Sequence, residues 1–143
     1  PLGLKYYSKS DVFWLRQVKP MAKFFSEKLL KKEMAKSISE TEYSYNTMMK
    51  IYNKADKKRI IEQMDIAYGY FVEENIDVDF FYPILLIIGE KDHTGKVRKY
   101  NDEWAKDIRA PLNIVPNASH FSNGDNPSFV NKKIEEFVIA LTK

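Results

Sequence analysis

The sequence contains no cysteine and only two histidines, His93 and His120. Without cysteine the chain cannot form a disulfide scaffold, a cysteine-ligated zinc site or a thiol nucleophile. Two histidines on separate segments are a poor zinc signature, so we expect neither a metal nor another cofactor. The absence of cysteine also fits a reducing compartment, and we expect the protein to be cytoplasmic.

Long apolar runs and an excess of one charge are missing as well. No stretch reaches the roughly 20 consecutive apolar residues of a membrane helix. The 23 basic and 20 acidic residues are interleaved and leave a net charge of +3. Lysine clusters such as the one in residues 28–36 can mark a phosphate-rich partner, but they are more often the solvated face of an amphipathic helix. We therefore expect neither a nucleic-acid partner nor a membrane partner.

The composition is that of a folded chain, since 44% of its 143 residues are apolar and 14% are aromatic. Apolar residues recur at helical spacing up to about residue 75, which predicts a helical region in residues 1–79. Strand-like and helical segments then alternate, which predicts an α/β fold class with a strand-helix-strand-helix unit and parallel strands in residues 80–143. Helix starts are predicted at Ser10–Asp11, Pro20, Thr41, Asp56 and Pro127.

Two polar residues follow the two strand-like runs. Asp92 comes shortly after the apolar run at 83–88, and His120 comes shortly after the run at 112–115. Parallel strands end at the same edge of a sheet, where open α/β sheets place their active sites. An ionised Asp92 that accepts a hydrogen bond from one ring nitrogen of His120 would leave the other nitrogen free to take a proton from a nucleophile. The order, acid before histidine, is the order found in hydrolases.

Each of these residues also has an ordinary interpretation. A loop aspartate is most often a turn former or a helix cap. His93, although adjacent to Asp92, is most simply a residue of a surface loop. The joint placement of the acid, the histidine and a closing helix favours acid–base chemistry, so we predict Asp92 and His120 as catalytic residues.

Two segments carry a family resemblance. Pro-Ile-Leu-Leu-Ile-Ile-Gly-Glu-Lys-Asp-His-Thr-Gly at 83–95 resembles the acid-bearing strand of α/β-hydrolase-fold enzymes. Asn-Ile-Val-Pro-Asn-Ala-Ser-His-Phe-Ser-Asn at 113–123, followed by a helix that starts with proline, resembles the segment that carries their catalytic histidine. The resemblance implies the C-terminal part of an α/β-hydrolase fold, in which a helical lid precedes the strands.

The same resemblance implies an activity and its residues. It implies a serine-type, carboxylesterase-like hydrolase of a small ester or related acyl substrate, with Asp92 as the triad acid and His120 as the general base. Aromatic residues of the lid would line an apolar substrate pocket. Our candidates for substrate contacts are Tyr6, Tyr7 and Trp14.

The nucleophile of this family is missing from the sequence. It would lie on a Gly-X-Ser-X-Gly turn, yet none of the nine serines has that context, and no His-Gly-Gly-Gly stretch offers an oxyanion hole. Because the chain also begins at Pro1 without a methionine, we interpret it as a fragment that is inactive without a nucleophile-bearing N-terminal half. An aspartate at the missing turn would suit dehalogenation instead of ester hydrolysis, and these residues do not separate the two reactions.

The missing strands also bear on partners. An unpaired sheet edge favours pairing with another chain, so we expect the N-terminal half of the same fold or a homo-oligomer to cover it. The alternative to an enzyme fragment is a non-catalytic module that binds a small ligand or a partner chain. The absent nucleophile, taken at face value, motivates that alternative.

Overall fold

The structure is a computed structural model that describes residues 5–74 and 79–142. Its first part is helical, with elements in the order α1 (Lys9–Phe24), α2 (Glu27–Ile38), α3 (Glu42–Tyr52), α4 (Lys57–Gly69) and a π-helical turn (Tyr70–Glu74). Its second part consists of β1 (Leu86–Gly89), α5 (Val97–Asp107), β2 (Leu112–Val115), α6 (Ser122–Asp125) and α7 (Pro127–Leu141).

Side-chain caps define most helix starts. Thr41 caps α3 and Asp56 caps α4 by accepting a backbone N–H, which confirms both predicted starts, and α7 begins with Pro127 as predicted. The start of α1 lies two residues earlier than predicted, because Ser8 and Asp11 form a reciprocal capping box.

The predicted helix start at Pro20 is wrong. Pro20 lies inside α1, four residues before its end, so α1 lacks only one backbone hydrogen bond there and continues to Phe24. The break comes at Phe25, whose backbone is extended, and the side chain of Ser26 caps α2. Pro20 therefore belongs to the last turns of α1 and does not mark the start of α2.

The apolar core is divided between the two parts of the chain. In the helical part, α1, α2 and α4 meet around Ala22, Leu30, Ile60 and Ile61. In the second part, Val115 at the end of β2 packs with Ala118 and with Val130 of α7. The second cluster anchors the segment immediately before His120, which is why it matters for the site.

The two strands form a short parallel pair. Leu86 lies opposite Leu112, and Gly89 lies opposite Val115. Helix α5 makes the crossover between the strands, so the acid and the histidine both emerge beyond the carboxyl end of the pair. The common edge from which Asp92 and His120 emerge therefore requires only these two strands and no larger sheet.

The predicted α/β fold class is nevertheless wrong. Helices account for 64% of the described residues and strands for 6%, and the one sheet found there has two four-residue strands, which is not an α/β-hydrolase-like unit. The apolar run at 83–88 suggests a longer buried strand, but pairing begins only at Leu86 because its partner strand β2 begins at Leu112 and is four residues long. The predicted division into 1–79 and 80–143 stays a prediction, since its joint at 75–79 lies largely outside the described residues.

None of the helices described in 5–74 and 79–142 is both long enough and apolar enough to cross a lipid bilayer.

Candidate functional site

Two loops meet at the carboxyl end of the strand pair: the acid loop, residues 90–96, and the histidine loop, residues 116–121. The histidine loop crosses directly over Gly89, the last residue of β1. A Cβ atom at position 89 would lie 2.1 Å from the carbonyl oxygen of Ser119 and 2.5 Å from that of Ala118. Only a residue without a side chain permits this approach. The N–H of Lys91 then donates to the Ala118 carbonyl at 2.8 Å, which joins the two loops.

Asp92 is buried in the acid loop, with 3% of its side chain exposed. Its Oδ1 accepts a hydrogen bond from the backbone N–H of Thr94 at 2.9 Å, a local turn that aspartate favours. Its Oδ2 lies 2.9 Å from Nδ1 of His120. Because both oxygens are engaged, the carboxylate is held in one orientation.

His120 is half-exposed, with 45% of its side chain accessible to solvent. Nδ1 faces Asp92, so a proton on Nδ1 donates to the carboxylate and leaves Nε2 as the acceptor nitrogen. Within residues 5–74 and 79–142, Nε2 makes no hydrogen bond. The imidazole therefore combines an oriented tautomer with an accessible base nitrogen, which general-base catalysis requires.

Asp92 and His120 each stabilise the charged form of the other. Burial acts to raise the pKa of Asp92, but the hydrogen bonds from His120 and from Thr94 outweigh it, and the pKa lies below its ordinary value of 3.8. The hydrogen bond from Asp92 raises the pKa of His120 above 6.5, against the smaller opposing effect of burial. Near neutral pH the aspartate is charged and stabilises the imidazolium that forms when His120 accepts a proton.

The histidine loop is also held by Asp125 of α6 and by Ile38 of α2. The backbone N–H of Ser119 donates to Oδ2 of Asp125 at 2.9 Å. On the other side of His120, the N–H of Phe121 donates to the carbonyl of Ile38 at 2.8 Å. The two residues that flank the histidine are thus both fixed by hydrogen bonds.

Sequence reasoning missed Gly89 and Asp125. Gly89 had a usable signal, because a glycine at the end of an apolar strand indicates close approach of another backbone. Asp125 lies in Asn-Gly-Asp-Asn-Pro, which is an ordinary turn composition. Its partners at Glu40 and Thr41 are 85 and 84 residues away, and no sequence pattern marks that contact.

The three predicted substrate contacts take part in other interactions or are exposed. The hydroxyl of Tyr6 donates to Asp107 at the end of α5 (2.6 Å), and the ring of Tyr7 stacks on Tyr100 with centroids 4.2 Å apart. Trp14 is 60% exposed. The structure brings Asp92 and His120 together but joins none of these three aromatic side chains to them by a hydrogen bond, and their role in substrate binding stays a prediction.

One open cleft borders Asp92 and another borders Phe121, the residue after His120. One, of about 540 Å³, lies between Asp92, His93 and the charged face of α5. The other, of about 560 Å³, is lined by Phe121 and Pro127 on one side and by Tyr43 and Thr47 of α3 on the other. The second cleft is the more apolar in its side chains, and it borders the residue next to His120.

Nowhere in the described parts of the chain do three or more histidine, aspartate or glutamate side chains group so that they could hold a metal ion.

Comparison with known proteins finds no relative. No protein-family model, no curated protein and no solved structure matches this chain. The resemblance of residues 83–95 and 113–123 to α/β-hydrolase-fold enzymes stays a prediction, and the fold class that it implied is the one corrected above.

Proposed function

We propose that Asp92 and His120 are the acid and the general base of a serine-type, carboxylesterase-like hydrolase that acts on a small ester or related acyl substrate. One observation carries this proposal: Oδ2 of a buried Asp92 lies 2.9 Å from Nδ1 of a half-exposed His120. A charged surface pair of the ordinary kind would expose both partners. Here the acid is buried and oriented, whereas the imidazole keeps one nitrogen open.

The chemistry of such a pair is a proton transfer at Nε2. His120 would take the proton of a serine hydroxyl as the hydroxyl attacks the substrate carbonyl, and would then return it to the leaving alcohol. Asp92 would keep the proton on Nδ1 and stabilise the imidazolium without itself becoming protonated. The cleft beside Phe121 has the more apolar side chains of the two clefts, and this is where we place an acyl chain.

The nucleophile in this proposal comes from a polypeptide segment outside the given sequence, because none of its serines lies in a Gly-X-Ser-X-Gly context. The isolated chain would then have negligible turnover. We retain a cytoplasmic location and the absence of nucleic-acid and membrane partners as parts of the proposal, supported by the lack of cysteine and the balanced charge.

A second candidate function is a non-catalytic binding module. The observation that favours it is the amount of apolar surface left open, since Phe81, in the segment before β1, is 97% exposed. On α7 the apolar side chains from 45% to 52% exposed are Ile134, Val138, Ile139 and Leu141. Surface of this kind suits a partner chain. In the hydrolase proposal the nucleophile-bearing segment would cover this surface. In the binding module the partner would be a second copy of the chain.

The test of the acid–base proposal requires the protein that also contains the nucleophile. Reading the coding sequence upstream of the Pro1 codon shows whether a Gly-X-Ser-X-Gly turn precedes it. In that longer product, His120→Ala is expected to lower kcat for p-nitrophenyl butyrate by about 10⁴-fold or more. His93→Ala is the matched control, because His93 is the other histidine, is exposed and lies in the adjacent loop; its kcat should match the wild type.

Two results separate the candidates. A His120→Ala enzyme with near wild-type kcat contradicts the acid–base role. A reading frame with no nucleophile turn, together with multi-angle light scattering that shows a stable dimer of the 143-residue chain, favours the binding module instead.

A further inference from the structure

Asp125, at the end of α6, is the most heavily hydrogen-bonded carboxylate near the site. Its Oδ1 accepts from the backbone N–H of Thr41 at 3.0 Å and lies 3.1 Å from the Thr41 hydroxyl. Its Oδ2 accepts from the backbone N–H of Ser119 at 2.9 Å, and the N–H of Glu40 lies 3.1 Å from each oxygen. One side chain therefore joins the α2–α3 connection to the residue before His120.

This contact bears on the histidine because the imidazole is weakly restrained by its own packing. His120 is half-exposed, and within the described residues its ring is held by the single bond to Asp92. The position of the ring then depends on the backbone of the histidine loop. That backbone is fixed on one side by Asp125 through Ser119 and on the other by Ile38 through Phe121.

We propose that Asp125 is a positioning residue for His120: it holds the histidine loop against the N-terminal end of α3, so that Nδ1 faces Asp92. This inference rests on the proposed function, since it assigns a residue to the same acid–base pair. Asp125 also lines the cleft beside Phe121, but the role proposed for it acts through Ser119 and the loop backbone.

The contact requires a carboxylate and not merely a polar side chain. Donors approach both oxygens of Asp125, with Thr41 at Oδ1 and Ser119 at Oδ2. Asparagine has one acceptor oxygen, so its NH₂ group would face an N–H donor on one of the two sides. Burial acts to raise the pKa of Asp125, but the hydrogen bonds led by that from Ser119 outweigh it and lower the pKa, so the group is ionised at neutral pH. The segments that Asp125 contacts also carry the ion pair of Glu40 and Lys91.

The test is the ring of His120 observed by ¹⁵N NMR in the 143-residue chain, which requires no activity. In Asp125→Asn we expect the pKa of His120 to fall toward 6.5. We also expect the ¹⁵N signals of the ring to lose the pattern of the tautomer that carries its proton on Nδ1.

Two control variants separate the positioning of His120 from a general loss of stability. Thr41→Val removes a hydroxyl that contacts Asp125 and caps α3, but it leaves the Ser119 contact intact. Glu40→Gln removes the ion pair with Lys91 but keeps the backbone N–H. In both controls His120 should titrate as in the wild type.

A second measurement needs no substitution and decides the matter if Asp125→Asn does not fold. In the wild type, the amide signals of Ser119 and Thr41 should shift together at one acidic midpoint below 3.8, as Asp125 becomes protonated. A Ser119 amide that does not follow this titration overturns the proposal.

The outcomes distinguish this inference from the proposed function. Asp125→Asn with a wild-type His120 pKa and tautomer overturns the positioning role and leaves the acid–base pair intact. A wild-type His120 whose pKa does not exceed 6.5 contradicts both.

Discussion

The acid loop and the histidine loop are held in opposite ways. In the acid loop, Asp92 is fixed by its neighbours in sequence: its Oδ1 accepts from Thr94, and its own N–H donates to the carbonyl of Gly89. In the histidine loop, Ser119 is fixed by the side chain of Asp125, which in turn binds residues more than 80 positions away, and Phe121 is fixed by the carbonyl of Ile38. The acid is buried, whereas the imidazole is half-exposed.

This difference shows how a rigid acid and an accessible base can be combined. A carboxylate inside a tight local turn needs no distant support to keep its orientation. An imidazole that must reach a reacting group cannot be buried, so its position is set by anchoring the backbone on both sides.

The largest effect is expected from Asp92→Asn. The amide can keep the turn with Thr94 through its oxygen, but it then presents NH₂ to Nδ1 of His120 and favours the wrong tautomer. In the nucleophile-containing protein kcat should fall about 10⁴-fold. In the isolated chain, NMR should show the pKa of His120 falling toward 6.5. Asp65→Asn, at an exposed site on α4, should change neither quantity; an unchanged His120 pKa in Asp92→Asn would show that the pair does not form.

The next effect concerns the crossing of the two loops. Gly89→Ala places a methyl group 2.1 Å from the Ser119 carbonyl, and backbone atoms cannot yield as a flexible side chain can. We expect the free energy of unfolding in urea to decrease by about 3 kcal/mol. Gly69→Ala is the control, because nothing lies within 4 Å of its added Cβ atom. It should stabilise α4 by about 0.5 to 1 kcal/mol. Equal stability of the two variants would rule out the close crossing.

A smaller effect is expected from the pH dependence of the pair. The raised pKa of His120 contributes stability that is present below pH 6.5 and is lost as the pH rises through the folded-state pKa. The lowered pKa of Asp92 contributes stability that is present above pH 3.8 and is lost as the pH falls through its folded-state pKa. The pair therefore stabilises the chain most between these values. Because His120 is half-exposed, the contribution should stay below about 1 kcal/mol.

Urea unfolding at pH 5 and at pH 9 measures this contribution. The wild type should lose more stability between the two values than His120→Gln, which keeps a polar side chain but does not titrate. An identical loss in both proteins would mean that His120 is not the group responsible.

The smallest effect is expected from the ion pair of Lys91 and Glu40, which links the acid loop to the α2–α3 connection at 2.5 Å. Both side chains are exposed, so solvent screens the attraction. Lys91→Met should leave the thermal midpoint and the His120 pKa unchanged within experimental error. A large loss would indicate that the acid loop, like the histidine loop, depends on the helical part of the chain.

Much of the site followed from local sequence, but the architecture did not. Thr41 and Asp56 were recognisable caps because capping depends on the side chain and the two or three residues after it. The apolar run at 83–88 was misleading because a run of buried residues does not reveal how many partner strands exist. The α/β class was inferred from a unit that turned out to be a two-stranded pair in a mostly helical chain.

What the sequence determined by itself was therefore local: the helix starts at Thr41, Asp56 and Pro127, the presence of two strand segments and the helix between them. These depend on interactions within a few residues, which composition and spacing express directly. Tertiary structure alone decided that Gly89 lies beneath the Ser119 carbonyl and that Asp125 holds the histidine loop to Thr41. Such contacts join residues far apart in the chain, and their energy depends on packing that no single stretch of sequence encodes.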